Sequence, residues 1–132
     1  MKSRLYSIGI LLLVILTGCV GLASKKEITI ADSGKKITRK VGGRIDFLLT
    51  GNPSKQFEWV VTQMDPSMVR QEGSPKISHL TDPSGFQPMT EYRFSFSVFE
   101  PGQSLLELSY VNKRDRYEAP AEVFQLQIEG LK

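Results

Sequence analysis

Apolar and polar residues alternate along most of this chain, and the period is two rather than the 3.6 of a helix. From Glu91 to Phe99, the residues Tyr92, Phe94, Phe96 and Val98 share one face, and Glu91, Arg93, Ser95 and Ser97 share the other. Ile45, Phe47 and Leu49 alternate in the same way, as do Phe57, Trp59 and Val61, then Leu106, Leu108 and Tyr110, and finally Phe124, Leu126 and Ile128. Shorter alternations over Glu27 to Ile30 and Lys36 to Arg39 predict two more strands. Turn chemistry separates these runs at Asp32-Ser33-Gly34, Gly42-Gly43, Asn52-Pro53 and Pro101-Gly102, and a polar loop runs from Asn112 to Pro120. The stretch from Gln63 to Pro88 holds four of the seven prolines, so it predicts only short edge strands, pinned by Val69, Ile77 and Leu80. Nothing reads as a long helix. Six or seven short strands in about a hundred residues predict an antiparallel β-sandwich, with a small barrel as the alternative.

The first residues are an address rather than part of this pattern. Lys2 and Arg4 precede an apolar run from Ile8 to Leu16 that is short for a bilayer span, as in a secretory signal. The run ends in Leu16-Thr17-Gly18-Cys19, which matches the bacterial lipobox. The match implies cleavage before Cys19, lipid on its thiol and amino group, a short tether over residues 19–26, and a domain over residues 27–132. The competing reading is an ordinary signal peptide. Val20 follows where an aspartate would argue for inner-membrane retention, so the expected location is the cell envelope, at the outer membrane in a Gram-negative cell.

Composition then narrows the function. The chain has a net charge of +3, but two of those charges, Lys2 and Arg4, leave with the signal. A nearly neutral mature domain without exposed aromatic runs offers no argument for nucleic acid. Cys19 is the one cysteine, so once lipidated it leaves no thiol for a disulfide, a metal site or a nucleophile. His79 is the one histidine, which excludes a histidine pair on a metal or a histidine relay, and it reads as a loop or edge-strand residue. Asp65, Asp82 and Asp115 sit in turn-like sequence, where aspartate caps backbone amides. No phosphate loop, dinucleotide fingerprint or nucleophile elbow is present, so neither an enzyme nor a cofactor is expected. The dense charge cluster Lys113-Arg114-Asp115-Arg116-Tyr117-Glu118 reads first as a solvated loop with internal ion pairs, and second as a contact loop.

The order of these signals resembles the chagasin-type inhibitors of papain-like cysteine proteases. The family's first loop reads Asn-Pro-Thr-Thr-Gly-aromatic-x-Trp, and Asn52, Pro53, Phe57 and Trp59 fall at the matching positions. Ser54, Lys55 and Gln56 stand at its Thr, Thr and Gly positions. A Gly-rich second loop corresponds to residues 84–89, where Gly85 and Phe86 lie, ahead of the Tyr92-Arg93-Phe94 strand. The third loop follows Leu106-Glu107-Leu108-Ser109-Tyr110, but continues as Asn112-Lys113-Arg114 rather than Arg-Pro-Trp. The resemblance covers roughly residues 27–129.

It implies an immunoglobulin-like antiparallel β-sandwich that plugs a protease cleft with three loops at one end, without covalent chemistry. The expected contacts are Asn52, Pro53, Ser54 and Lys55 in the first loop, with Pro53 and Ser54 at the tip. Gly85 and Phe86 contribute from the second loop, and Arg114, Arg116 and Tyr117 flank from the third. If the altered tips inhibit, the expected target is a different protease from the family's usual ones. The expected partners are a papain-like cysteine protease and, through Cys19, a membrane, with the domain itself monomeric. The alternative function is an envelope binding module for another protein or surface component.

Overall fold

The period-two runs form strands where the alternation places them. The computed structural model describes residues 26–52, 56–81, 84–85 and 88–132. The strands are β1 (Lys36–Lys40), β2 (Arg44–Gly51), β3 (Phe57–Gln63), β4 (Val69–Gln71), β5 (Lys76–Thr81), β6 (Pro88–Val98), β7 (Gly102–Asn112) and β8 (Glu122–Leu131). They build two sheets, one ordered β1-β8-β7-β3 and one ordered β2-β6-β4, with β5 also on β6. This is an all-β immunoglobulin-like sandwich. Every strand pair is antiparallel except β1 with β8, which is parallel from Lys36↔Gln127 to Lys40↔Leu131.

The long strand β6 organises its sheet. One edge pairs with the whole of β2, from Arg44↔Ser97 to Gly51↔Thr90. The other edge is shared, with β4 taking Val98 to Phe96 and β5 taking Arg93 to Pro88. The proline-rich stretch therefore supplies two short edge strands in place of one long one, as a segment that repeatedly lacks amide donors must.

The core lies between the sheets. Phe47 stacks on Phe94 and Phe96 within its own sheet, at centroid separations of 5.4 and 5.5 Å, and meets Phe124 of the opposite sheet at 5.0 Å. Ile45, Leu49, Leu106, Leu108, Leu126 and Ile128 fill the space around these rings and are buried. With each such side chain worth roughly 1.5–3 kcal/mol on burial, this layer carries the stability of a domain without a disulfide.

Two expectations change. Glu27 to Ile30 does not form a strand: Ile28 makes one parallel bridge to Phe47, and Ile30–Asp32 closes a 3-10 turn. The cause is Asp32, whose carboxylate accepts from the Thr29 amide at 3.0 Å and from Lys35 Nζ at 2.7 Å, a local alternative to a ladder. The Lys35 ammonium, with the Thr29 amide second, holds that carboxyl below its ordinary range. Of the three residues expected to pin the edge, only Val69 reaches the core. Ile77 and Leu80 are 52% and 43% exposed, because β5 hangs on β6 with no further strand beyond it.

The packing makes a paired prediction. Phe47→Ala should cost about 3–5 kcal/mol in urea unfolding, whereas Ile77→Ala should change stability by less than about 0.5 kcal/mol.

Candidate functional site

Strand register brings three connections to one end of the sandwich. Gly51, the last residue of β2, faces Thr90 near the start of β6, so the connection after β2 and the one before β6 leave together. Phe57, the first residue of β3, faces Asn112, the last of β7. The strand ends that flank residues 52–56, 82–87 and 113–121 thus lie at one end of the sandwich. Of the three connections, only the second and third are hairpins. Residues 52–56 cross from one sheet to the other, because β2 pairs with β6 while β3 pairs with β7.

That crossing is clamped by aromatic side chains. Tyr110 Oη accepts from the Asn52 amide at 3.0 Å and lies 3.4 Å from the Asn52 carbonyl. Trp59 Nε1 donates to the Thr50 carbonyl at 3.1 Å. The rings pack together, Trp59 on Tyr110 at 5.1 Å and Phe57 on Tyr110 at 5.3 Å. Trp59 and Tyr110 thus each bury an apolar body and spend a polar atom on the loop stem, the arrangement buried Trp and Tyr require. Burial pushes the Tyr110 phenol above its ordinary value, so it stays a neutral donor and acceptor. Gly51 is needed for this approach, since a Cβ there would sit 2.5 Å from Tyr110 Oη.

The first and third loops are also joined directly. Gln56 adopts φ 38°, a left-handed conformation that costs a side-chain-bearing residue energy, at the position where the resemblance has glycine. Its carbonyl accepts from the Lys113 amide at 2.9 Å. Beyond that bond the third loop folds on its own polar side chains. Asn112 Oδ1 accepts from the Arg114 amide at 3.0 Å, and Asp115 Oδ1 accepts from the Tyr117 amide at 3.0 Å. Asn112 Nδ2 donates to Glu118 Oε2 at 2.7 Å. The expected internal ion pairs are replaced by these bonds: among the described residues, Lys113, Arg114 and Arg116 pair with no carboxylate. Arg114, Arg116 and Tyr117 are exposed, and Tyr117 is fully so.

In the second loop, Gly85 is exposed at φ 75° with open space around it, so conformation rather than crowding favours glycine there. His79 lies on the exposed edge strand β5, where its Nδ1 is 3.1 Å from Oγ1 of the buried Thr90. Asp65 Oδ1 accepts from the Ser67 amide at 3.0 Å, a turn role like that of Asp115. Pro53, Ser54, Lys55, Phe86 and Cys19 lie outside the described residues, as does Asp82. Among the described residues, no group of His, Cys, Asp and Glu could hold a metal.

The sequence pattern marked Tyr110 only as an inward strand residue, and its part in holding the loop was missed. Its position offered a signal. An inward tyrosine at the end of a core strand needs a partner for its hydroxyl, and the nearest unpaired backbone lies in a neighbouring loop.

This end-loaded sandwich defines a class of protein that presents loops from a rigid stem, and comparison with known proteins narrows the class. The family model described as "Chagasin family peptidase inhibitor I42" matches residues 38–128, and the chain belongs to that family. The family is one of inhibitors rather than enzymes. No curated protein matches the chain significantly by sequence. Among solved structures, the chain is similar to the cysteine protease inhibitor EhICP2 from Entamoeba histolytica, with a TM-score of 0.69 at 15% identity over 79% of this chain and 93% of that one. It is similar to amebosin, with a TM-score of 0.58 at 19% identity over 80% and 96%. PbICP-C, solved in complex with falcipain-2, gives a TM-score of 0.53 at 16% identity over 80% and 99%. At these identities the likeness shows the shared fold.

Two substitutions test the stem. Gln56→Gly should stabilise the domain by about 0.5–1 kcal/mol by removing left-handed strain. Tyr110→Phe should cost about 1–2 kcal/mol, and amide exchange should accelerate at Asn52.

Proposed function

We propose that this protein is a lipid-anchored, monomeric inhibitor of papain-like cysteine proteases that blocks the active-site cleft with its three loops. The observation that carries this reading is the shared end of residues 52–56, 82–87 and 113–121, on a stem tied by Tyr110 and Trp59, in a member of a peptidase-inhibitor family. A tied stem lowers the ordering cost of binding, so modest contacts at the tips suffice for affinity. Asn52, Pro53, Ser54 and Lys55 enter the cleft, Gly85 and Phe86 flank one side, and Arg114, Arg116 and Tyr117 flank the other. No bond is made to the protease, so inhibition is reversible. The neighbour bound to falcipain-2 supports a cysteine protease as the target.

Cleavage before Cys19 and lipidation there would hold the domain at the cell envelope, on the outer membrane in a Gram-negative cell. Several acyl chains make a far firmer anchor than one. Cys19→Ser should shift the protein from the membrane fraction to the soluble fraction.

The decisive experiment titrates the purified protein against papain, with a serine protease as control. Reversible inhibition of papain alone is the expected result. Changing Asn52, Pro53 and Ser54 to glycine should abolish that inhibition and leave the thermal midpoint nearly unchanged. If the wild-type protein inhibits no papain-like enzyme, the inhibitor reading fails and an envelope binding module takes its place.

A further inference from the structure

We infer that the third loop selects for proteases whose cleft rim is rich in carboxylates; the inference rests on the inhibitor reading above. Lys113, Arg114 and Arg116 are exposed, and none has an ionic partner among the described residues. The loop's two carboxylates are already occupied, Asp115 by the Tyr117 amide and Glu118 by the Asn112 side chain. Those bonds are made by neutral donors, so they fix the backbone without neutralising the three cations. Both carboxylates keep their charge, so Lys113, Arg114 and Arg116 outnumber Asp115 and Glu118 and leave the loop net positive, with its cations unpaired at contact distance among the described residues.

The cationic surface is broader than one side chain. Lys113 and Arg116 also border a groove of about 340 Å³ on the side of the β3–β7 sheet, over Val60, Val61 and Val111, with Glu58 as its one carboxylate. Next to them stands Tyr117, fully exposed, which offers a large contact area at low entropic cost. An arginine pair beside a tyrosine suits a partner surface that carries carboxylates next to an apolar shelf, because planar guanidinium groups bind carboxylates through two parallel hydrogen bonds. Charges so placed act chiefly on the association rate and on the choice between partners.

The test compares two papain-like proteases chosen from their structures, one with a carboxylate-rich cleft rim and one with a carboxylate-poor rim. Association rate constants are measured at low and high salt, with the wild-type protein and with the Arg114→Glu/Arg116→Glu variant. These substitutions should leave the loop's fold in place, because Arg114 takes part in it through its backbone amide and the Arg116 side chain makes no ion pair among the described residues, and an unchanged thermal midpoint checks this.

The wild type should associate at least about tenfold faster with the carboxylate-rich enzyme at low salt, and the gap should close as the screening length falls from about 10 Å at 0.1 M towards about 3 Å at 1 M. The variant should lose or reverse the preference. Inhibition of both enzymes at equal rates, or a preference that survives charge reversal, overturns the inference and leaves the inhibitor reading standing. Inhibition of neither enzyme overturns both.

Discussion

A single phenol hydroxyl ties the two layers of this protein together where they part. Tyr110 belongs to the sheet of β3, β7, β8 and β1, yet its oxygen meets the backbone of Asn52, just past the last strand residue of the opposite sheet. The chain leaves one layer at Gly51 and enters the other at Phe57, and crossing between layers breaks the ladder that would otherwise satisfy the amides. The ladder ends at Gly51, and side chains take over at backbone groups that are only partly buried. Tyr110 and Trp59 do so, and Gly51 makes room for the phenol.

From that clamp the geometry of the end follows. The stem of the first loop is set by aromatic packing, the third loop is tied to the first through Gln56 and Lys113, and the second shares the β2–β6 register. Loop tips can change sequence on such a stem without changing the fold, which is why fold and target separate in proteins of this kind. The third loop illustrates it. Its side-chain hydrogen bonds join Asn112, Asp115 and Glu118 to neighbours within the same stretch, so among the described residues none of its positive side chains is used to hold the loop.

Gln56 shows the cost of such variation. Its left-handed backbone is one that glycine adopts freely, and the chain holds it because the register that follows it is stronger than the local penalty. Ladder pairing from Phe57↔Asn112 onward and the Lys113 amide hold the residue from its C-terminal side. Local preference yields to tertiary constraint at this point.

Local pattern sets the strands and the inward residues, because side-chain direction in a strand repeats every two residues and burial must follow it. Phe47, Phe94, Phe96 and Phe124 were legible on that ground, as was the turn at Gly42-Gly43. It did not determine that Glu27 to Ile30 would be drawn into a turn by Asp32, nor that Ile77 and Leu80 would remain at an uncovered edge. Alternation reports which side of a strand a residue takes, not whether another strand lies beyond it. The bond from Tyr110 to Asn52 spans 58 residues of chain, and the one from Lys113 to Gln56 joins two loops that no local pattern connects. Contacts of that kind depend on which strands pair and in what register, and only the tertiary structure decides that.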